Sequence, residues 1–462
     1  MIERIAIIGL DCGDPTLLFD RWLADLPNFR RLSERGLWGR LESCIPPITV
    51  PAWTCMAGGQ DPGALGVYGF RIRRDWGYDS FGLSTNADVH VPRLWDYVAQ
   101  AGWPSITVGV PQTFPIIRPP LGHQVTCFLT PSTQSRFTHP PELAAELEQV
   151  GGPFLLDVEN FRTPNKDQLL DQIYRMAEQR FRVCRHLLTT KPWRLFWMVE
   201  LALDRLQHGF WHLTDPEHRR FEPRNPFEHA IRDYYRFLDR QIGELLGILD
   251  LYHTAVWVVS DHGAKRLDGS FALNDWLIRE GLLVLKSPSH SVQRFDPALV
   301  DWSRTKVWGE GGYHGQLYIN KAGREPQGIV RPDEYGPLRE TLTRKLAALS
   351  DHRGQPFGNR VFRPDELYPT CRGCPPDLIV LFGDLHWRCV AAVGHSSLHV
   401  FSDDPGAEEA NHAQAGLYIL SHPSLRPAQR AATLYDVVPT SLRLLRLAVP
   451  PTLRGVSLVD PP

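Results

Sequence analysis

The chain has 462 residues, 43% hydrophobic and 22% charged, with 50 Lys plus Arg against 52 Asp plus Glu. That composition excludes a disordered chain and a collagen-like fibre. A net charge of -2 argues against a general binder of duplex nucleic acid or anionic membrane.

The first apolar run, Ile5–Leu10, follows Glu3 and Arg4 and is too short for a signal h-region or a membrane span. Its β-branched content predicts a strand. In chain order come a helix over Pro27–Arg35, a helix beginning directly after Thr49 and Val50, and a helix over Val91–Ala101. Strands follow at Ser105–Val110 and Leu195–Glu200, a helix at Phe227–Leu249, and strands at Ala255–Ser260, Asp377–Phe382 and Gly416–Leu420. Near-continuous apolar strands alternating with helices predict an α/β fold with a mainly parallel central sheet and helices on both faces. One domain over residues 1–462 is expected, with a mainly helical insertion at 119–192 and an insertion or cap at 265–376. The latter carries helices over Leu273–Glu280 and Tyr335–Leu349 and a loop at Gly309–Gly315. The eight cysteines (Cys12, Cys44, Cys55, Cys127, Cys184, Cys371, Cys374, Cys389) are scattered, so reduced thiols and a cytoplasmic location are expected. Cys371 and Cys374 form one C-x-x-C without a second pair, and a loop reading is preferred there over zinc or redox chemistry.

In a parallel sheet, ligands gather at the carboxyl ends of strands, which selects the residues to weigh. Asp11 ends the first strand, where a carboxylate serves equally as a helix cap or turn residue. Pro51 suits a first helical turn. Thr49 therefore stands at a helix amino terminus, where a hydroxyl either caps or faces an anion. Asp204 and His208 are four apart after an apolar strand, so a helix puts both on one face, where they can share one metal or form a solvated surface. His212 continues that row as a competitor or as packing beneath it. Asp261-His262-Gly263 places a carboxylate and an imidazole at a strand end with glycine for a sharp turn. His412 precedes the Gly416–Leu420 strand, and His395 and His399 compete with it. Lys265 is read chiefly as a surface lysine, with substrate phosphate as its alternative partner.

Taken in this order, Asp11, Thr49-Val-Pro, Asp204-x3-His208, Asp261-His262-Gly263 and His412 resemble the alkaline phosphatase superfamily. More narrowly the chain is similar to the type I phosphodiesterase/nucleotide pyrophosphatase group and its predicted phosphohydrolase/phosphomutase branch. Ile45-Pro-Pro-Ile-Thr-Val-Pro-Ala-Trp-Thr, Asn274-Asp-Trp-Leu-Ile-Arg-Glu-Gly, Leu317-Tyr-Ile-Asn-Lys-Ala-Gly and Tyr435-Asp-Val-Val-Pro-Thr carry the likeness across nearly the whole chain. The resemblance implies an alkaline-phosphatase-like core with covering insertions. It also implies two divalent metals, one held by Asp204, His208 and His412, the other by Asp11, Asp261 and His262 with Thr49 beside it. Zinc is the favoured metal and manganese the second choice.

The implied reaction is attack by Thr49 on a small-molecule phosphoester, a phosphothreonine intermediate, and hydrolysis by water. The residues after Thr49 are Val-Pro-Ala-Trp, where nucleotide pyrophosphatases typically show Phe-Pro-Asn with the asparagine helping to hold the phosphate oxygens, so that donor is missing or comes from elsewhere and nucleotide specificity stays open. Val50 to Trp53 supply no charge clamp, and Trp53 reads as an apolar wall for a diester's second substituent, so diesters are expected over monoesters. A phosphomonoesterase, a phosphomutase, or a catalytically silent metal-binding homologue are the alternatives. Sulfatase chemistry is disfavoured, because Thr49 and Trp53 stand where those enzymes need a cysteine or serine and an arginine. The sequence leaves oligomeric state and leaving group open.

Overall fold

A computed structural model describes residues 2–402 and 407–460. It divides into two compact units. The first comprises Met1–Asp61, Ser84–Ala264 and Pro405–Pro462, and the second Pro62–Leu83 and Lys265–Asp404. Among the described residues no helix is long and apolar enough to cross a membrane.

The first unit is built on a 10-stranded sheet. Its strands are β1 (Arg4–Leu10), β2 (Gly36–Glu42), β3 (Ser105–Val108), β4 (Gly122–Val125), β5 (Thr138–His139), β6 (Leu195–Glu200), β7 (Thr254–Val259), β8 (Ala415–Ser421), β9 (Ala428–Gln429) and β10 (Ala432–Thr433). The spatial order is β9-β2-β8-β7-β1-β6-β3-β4-β5, with β10 also pairing β2. β7, β1, β6, β3 and β4 are mutually parallel neighbours. β8 runs antiparallel to both β7 and β2, so the sheet is mixed and mainly parallel. β1, β6 and β7 are buried at nearly every position, as expected of strands covered on both faces.

The register sets where chemistry can gather. Leu10 pairs with Glu200 and Gly9 with Val259, so β7, β1 and β6 end at one level. Asp11, Asp204 and Asp261 follow those three ends. Because β8 is antiparallel, its amino end lies at the same edge and carries His412 just before it. β2 is parallel to β7 through β8, and its carboxyl end leads to Thr49.

One strand expectation needs correction. Asp377–Phe382 is a strand over Leu378–Leu381, but it pairs antiparallel with Gly315–Ile319 and Arg360–Phe362 in a separate four-stranded sheet of the second unit. An apolar run four residues long does not reveal which sheet it joins. β2 was not foreseen, because its sequence Gly-Leu-Trp-Gly-Arg-Leu-Glu mixes glycines and charge with few β-branched residues. Residues 119–192 contribute β4 and β5 to the main sheet as well as helices over Leu143–Gly151 and Lys166–Thr190. The stretch around Gly309–Gly315 is a hairpin between Val307–Glu310 and Gly315–Ile319.

The second unit packs an aromatic core, with Tyr78 stacked on Trp302 at 3.6 Å and Trp308 edge-on to both. A fully buried Arg73–Glu325 pair at 3.1 Å and a two-pronged Arg324–Asp377 contact satisfy its interior charges.

In the first unit the helix Thr49–Gly58 is buried at all its positions, matching a sequence in which Thr49 and Thr54 are the polar side chains. Gly59 ends it in the left-handed conformation at φ 60° and donates its N–H to Cys55, a cap that glycine adopts without a Cβ penalty. The helix lies so close to β1 that a Cβ on Gly9 would stand 2.6 Å from Trp53 Cη2 and 2.9 Å from the Met198 carbonyl oxygen. Overpacking of this kind costs about 1–3 kcal/mol. Gly9→Ala is expected to lower the urea midpoint of unfolding by a corresponding amount. A midpoint equal to wild type would show that the Gly9–Trp53 contact is not tight.

Candidate metal centre

The amino end of the Thr49–Gly58 helix is where the first functional side chain sits. Ile48 is the N-cap and makes no side-chain cap, and Thr49 is the first helical residue. The first intrahelical donor is the Ala52 amide, bonded to Ile48. The Thr49 and Val50 amides precede it, and Pro51 has none to offer. Thr49 is therefore not the N-cap considered from its sequence position. Its Oγ1 instead lies 3.2 Å from His262 Nε2.

Asp204 and His208 are presented by the helix Ala202–Thr214. Glu200, the last residue of β6, caps that helix by accepting from the Ala202 and Leu203 amides at 2.7 and 3.1 Å. The Tyr234 hydroxyl holds the same carboxylate at 3.1 Å. Glu200 thus fixes the angle at which the helix leaves the sheet. Its part was not foreseen, although a glutamate ending an apolar strand just before a helix was a signal for it.

The loops after β1 and β7 are tied to each other. The Cys12 amide donates to Asp261 Oδ1 at 3.2 Å, and the Gly13 amide donates to Ser260 Oγ at 2.7 Å. Ser260 Oγ in turn donates to the His262 carbonyl at 2.6 Å.

These supports bring Asp11, Thr49, Asp204, His208, Asp261, His262 and His412 into one buried cluster, each at most 3% exposed. His262 Nε2 is 3.0 Å from Asp261 Oδ2 and 3.9 Å from Asp11 Oδ1. His208 Nε2 is 3.3 Å and His412 Nε2 3.9 Å from Asp204 Oδ1. Three groups have ligand atoms within 4.8 Å of one another: Asp11, Asp261 and His262; Asp204, His262 and His412; and Cys12, Asp204 and His208.

Asp11 Oδ1, Asp204 Oδ1 and Asp261 Oδ2 are buried and accept no hydrogen bond. Buried carboxylate oxygens left this way are strongly unfavourable without a cation. The imidazoles face the cluster through Nε2, because Nδ1 of His262 donates to the Gly263 carbonyl at 3.1 Å and Nδ1 of His412 to the Pro47 carbonyl at 3.0 Å. A backbone carbonyl on one ring nitrogen is the usual orienting partner of a metal-binding histidine. The donor set fits divalent metal ions.

The electrostatics follow from burial. Desolvation pushes the Asp11 carboxyl well up, and Asp261 and Asp204 push it the same way. Burial also raises Asp261, although His262 pulls it back. Burial would raise Asp204 too, but His208, Arg205 and His412 together outweigh it and hold the group below the usual carboxylate range. Burial and then the neighbouring His262 and His208 push His412 well down, which keeps that ring neutral. Burial opposes a charge on His262, yet Asp261 and Asp204 overcome it and raise that ring.

Other candidates fall elsewhere. His212 is buried with its ring 5.9 Å from that of His218 and belongs to none of the three groups. His395 Nδ1 binds Asp275 at 2.8 Å and His399 Nε2 meets the Ser350 carbonyl at 2.9 Å, within the second unit. Lys265 donates to the Asp384 carbonyl at 2.8 Å in that unit.

Trp53 needs correction. It is fully buried and its indole N–H donates to Asp11 Oδ2 at 2.9 Å, so it orients a carboxylate and is not a wall for substrate. Arg205 was also missed. It donates to Asp204 Oδ2 at 2.9 Å and holds Asp157 with two further bonds.

The family model described as type I phosphodiesterase/nucleotide pyrophosphatase matches residues 5–407. The fold is similar to human ectonucleotide pyrophosphatase/phosphodiesterase 5 at 12% identity, covering 97% of this chain and 96% of that one with a TM-score of 0.54. The murine protein gives 13% identity, 98% and 97% coverage, and 0.54. An inactive threonine-to-alanine variant of the murine protein in complex with AMP gives 11%, 98%, 97% and 0.53. No curated protein matches the sequence. Similarity at these identities is a similarity of fold, an alkaline-phosphatase-like α/β core. The family match spans most of the sequence, and the chain belongs to the type I phosphodiesterase/nucleotide pyrophosphatase family.

Proposed function

We propose that the chain is a two-metal phosphoric-ester hydrolase that uses Thr49 as its nucleophile. The observation that carries this reading is the Thr49 hydroxyl, 3.2 Å from His262 Nε2, beside buried carboxylate oxygens that accept no hydrogen bond. In this reading Asp11, Asp261 and His262 hold one ion beside Thr49, and Asp204, His208 and His412 hold the other. Zinc is preferred and manganese second. When bound, the ions supply charge stabilisation to the attacking and leaving oxygens of an in-line displacement and make the hydroxyl more acidic. The murine relative that is inactive as a threonine-to-alanine variant and was captured with AMP supports a threonine of this kind in a phosphoester site.

The chain's own groups do the remaining work. Thr49 and Val50 point their amides from a helix start that favours phosphate oxygens. Thr49 Oγ1 loses its proton to solvent and attacks phosphorus, the bond to one alkoxide leaving group breaks, and a phosphothreonine that keeps the diester's second substituent forms. Water then attacks phosphorus, one of its protons returns to Thr49 Oγ1 as that bond breaks, and the phosphomonoester is released. Trp53 and Arg205 keep Asp11 and Asp204 aimed through these steps.

Diesters are the proposed substrates. Val50, Pro51, Ala52 and Trp53 bring no charge to the phosphate, and Arg205 is committed to Asp204 and Asp157. A monoester's additional negative charge has less to meet it than a diester's single charge. A cytoplasmic location is part of the same proposal, and its support is the eight cysteines, all present as thiols.

The deciding experiment pairs elemental analysis with turnover for wild type and Thr49→Ala. Both proteins are expected to bind about two divalent ions per chain, as two-metal hydrolases do. Removing the nucleophile is expected to lower kcat on the order of 10³-fold or more. Chelation should abolish wild-type turnover, and zinc or manganese should restore it. A variant that keeps wild-type turnover would reduce Thr49 to a structural residue, and a metal-loaded wild type without turnover would be a silent homologue.

Substrate class is tested with p-nitrophenyl phosphate against bis-p-nitrophenyl phosphate at one pH. The diester should show the higher kcat/KM, each tenfold preference corresponding to about 1.4 kcal/mol at the transition state. A clear monoester preference would overturn the phosphodiesterase reading.

A further inference from the structure

The two-metal reading makes no use of Cys12, the residue directly after Asp11. The structure places it inside the cluster. Cys12 is fully buried and held at φ 65°, a left-handed conformation that glycine adopts freely and cysteine adopts with strain. Its backbone is anchored on both sides. Its amide donates to Asp261 Oδ1 at 3.2 Å, and Gln207 Nε2 donates to its carbonyl oxygen. The side chain is thereby turned toward the helix that carries Asp204 and His208. Cys12 Sγ, an Asp204 oxygen and a His208 nitrogen lie within 4.8 Å of one another. Zinc with sulfur at about 2.3 Å and nitrogen at about 2.0 Å separates adjacent tetrahedral donors by roughly 3.5 Å, so small side-chain shifts close this set.

Two independent observations point to a ligand there. Asp204 is 3% exposed, and its Oδ1 accepts no hydrogen bond. His412, the third ligand suggested by resemblance, stacks on His262 at 3.8 Å between ring centroids and groups with Asp204 and His262. Its Nε2 is also 3.9 Å from Asp204 Oδ1, so it serves the ion held by Asp204 and His208, and the thiol supplies a fourth donor to a tetrahedral set.

We propose that Cys12 is a ligand of the metal held by Asp204 and His208, making a sulfur–nitrogen–oxygen site that takes zinc-like thiophilic ions over manganese or magnesium. The inference rests on the two-metal reading. On binding, the S–H bond breaks, the proton leaves to solvent, and a sulfur lone pair forms the metal–sulfur bond, with no change of oxidation state. A thiolate adds soft-donor selectivity that carboxylate and imidazole alone do not give. The thiol currently donates to the Gly263 carbonyl at 3.5 Å, a weak bond whose loss is a small penalty.

The test is reconstitution of the metal-stripped full chain with cobalt(II), followed by metal analysis and near-ultraviolet absorption. Cobalt bound by thiolate gives an intense charge-transfer band that nitrogen and oxygen ligands do not. Wild type is expected to bind two ions and show the band. Cys12→Gly, which suits the backbone conformation, should lose the band, and Cys371→Ser should keep it. Zinc affinity should fall on the order of tenfold or more in Cys12→Gly, as ligand-sphere changes do, with manganese affinity changing less. Two bound cobalt ions without a band in wild type, or a band that survives Cys12→Gly, would overturn the inference while leaving the two-metal reading in place. Failure of wild type to bind cobalt would overturn both. Absence of the band in wild type overturns the inference whether or not the variant folds, since among the described residues Cys12 is the one cysteine in any of the three candidate groups.

Discussion

Asp11, Asp204 and Asp261 lie in one dry cluster, and each is expensive to bury without a partner charge. Removing a carboxylate from water is unfavourable by several kcal/mol even after relaxation, and like charges this close raise the penalty further. The chain meets part of it internally. Trp53 donates to Asp11, the Cys12 amide to Asp261, and Arg205 to Asp204. One oxygen on each carboxylate remains without a hydrogen bond, and those oxygens face imidazole nitrogens. The fold therefore gathers buried carboxylates that a small cation would complement.

The sheet explains how residues more than two hundred positions apart reach that cluster. β7, β1 and β6 end in register, β8 enters from the opposite direction, and β2 feeds the helix that carries Thr49. Each contributes from the same edge, where the crossover connections of a parallel sheet leave room for ligands. Gly9 lets Trp53 approach β1 closely enough to reach Asp11. The packing of that helix and the orientation of a metal-ligand candidate are thus one constraint.

Much of this was legible in the amino-acid order. The apolar runs at Ile5–Leu10, Leu195–Glu200 and Ala255–Ser260 became adjacent parallel strands because an uninterrupted β-branched run suits burial on both faces. The Asp204-x3-His208 spacing survived because the helix begins at Ala202. Long-range partnerships were less visible. No local pattern shows that an indole will donate to a carboxylate 42 residues earlier, nor that Arg205 will join Asp204 to Asp157. Cys12 carried no signal either, because its place beside Asp204 and His208 comes from the left-handed turn after β1. The run at Asp377–Phe382 resembled the core strands in composition, and its place in another sheet depended on antiparallel neighbours that composition does not reveal.

The central claim is that the Thr49 hydroxyl forms a covalent bond to phosphorus during turnover. Acid quench of metal-loaded enzyme within its first turnovers, followed by peptide mass spectrometry, tests it directly. The account predicts a transient phosphoryl group, still carrying the diester's retained substituent, on the peptide spanning the start of the Thr49–Gly58 helix, located on Thr49. An active enzyme quenched at several times with Thr49 never modified, or with phosphate on another residue, would contradict it.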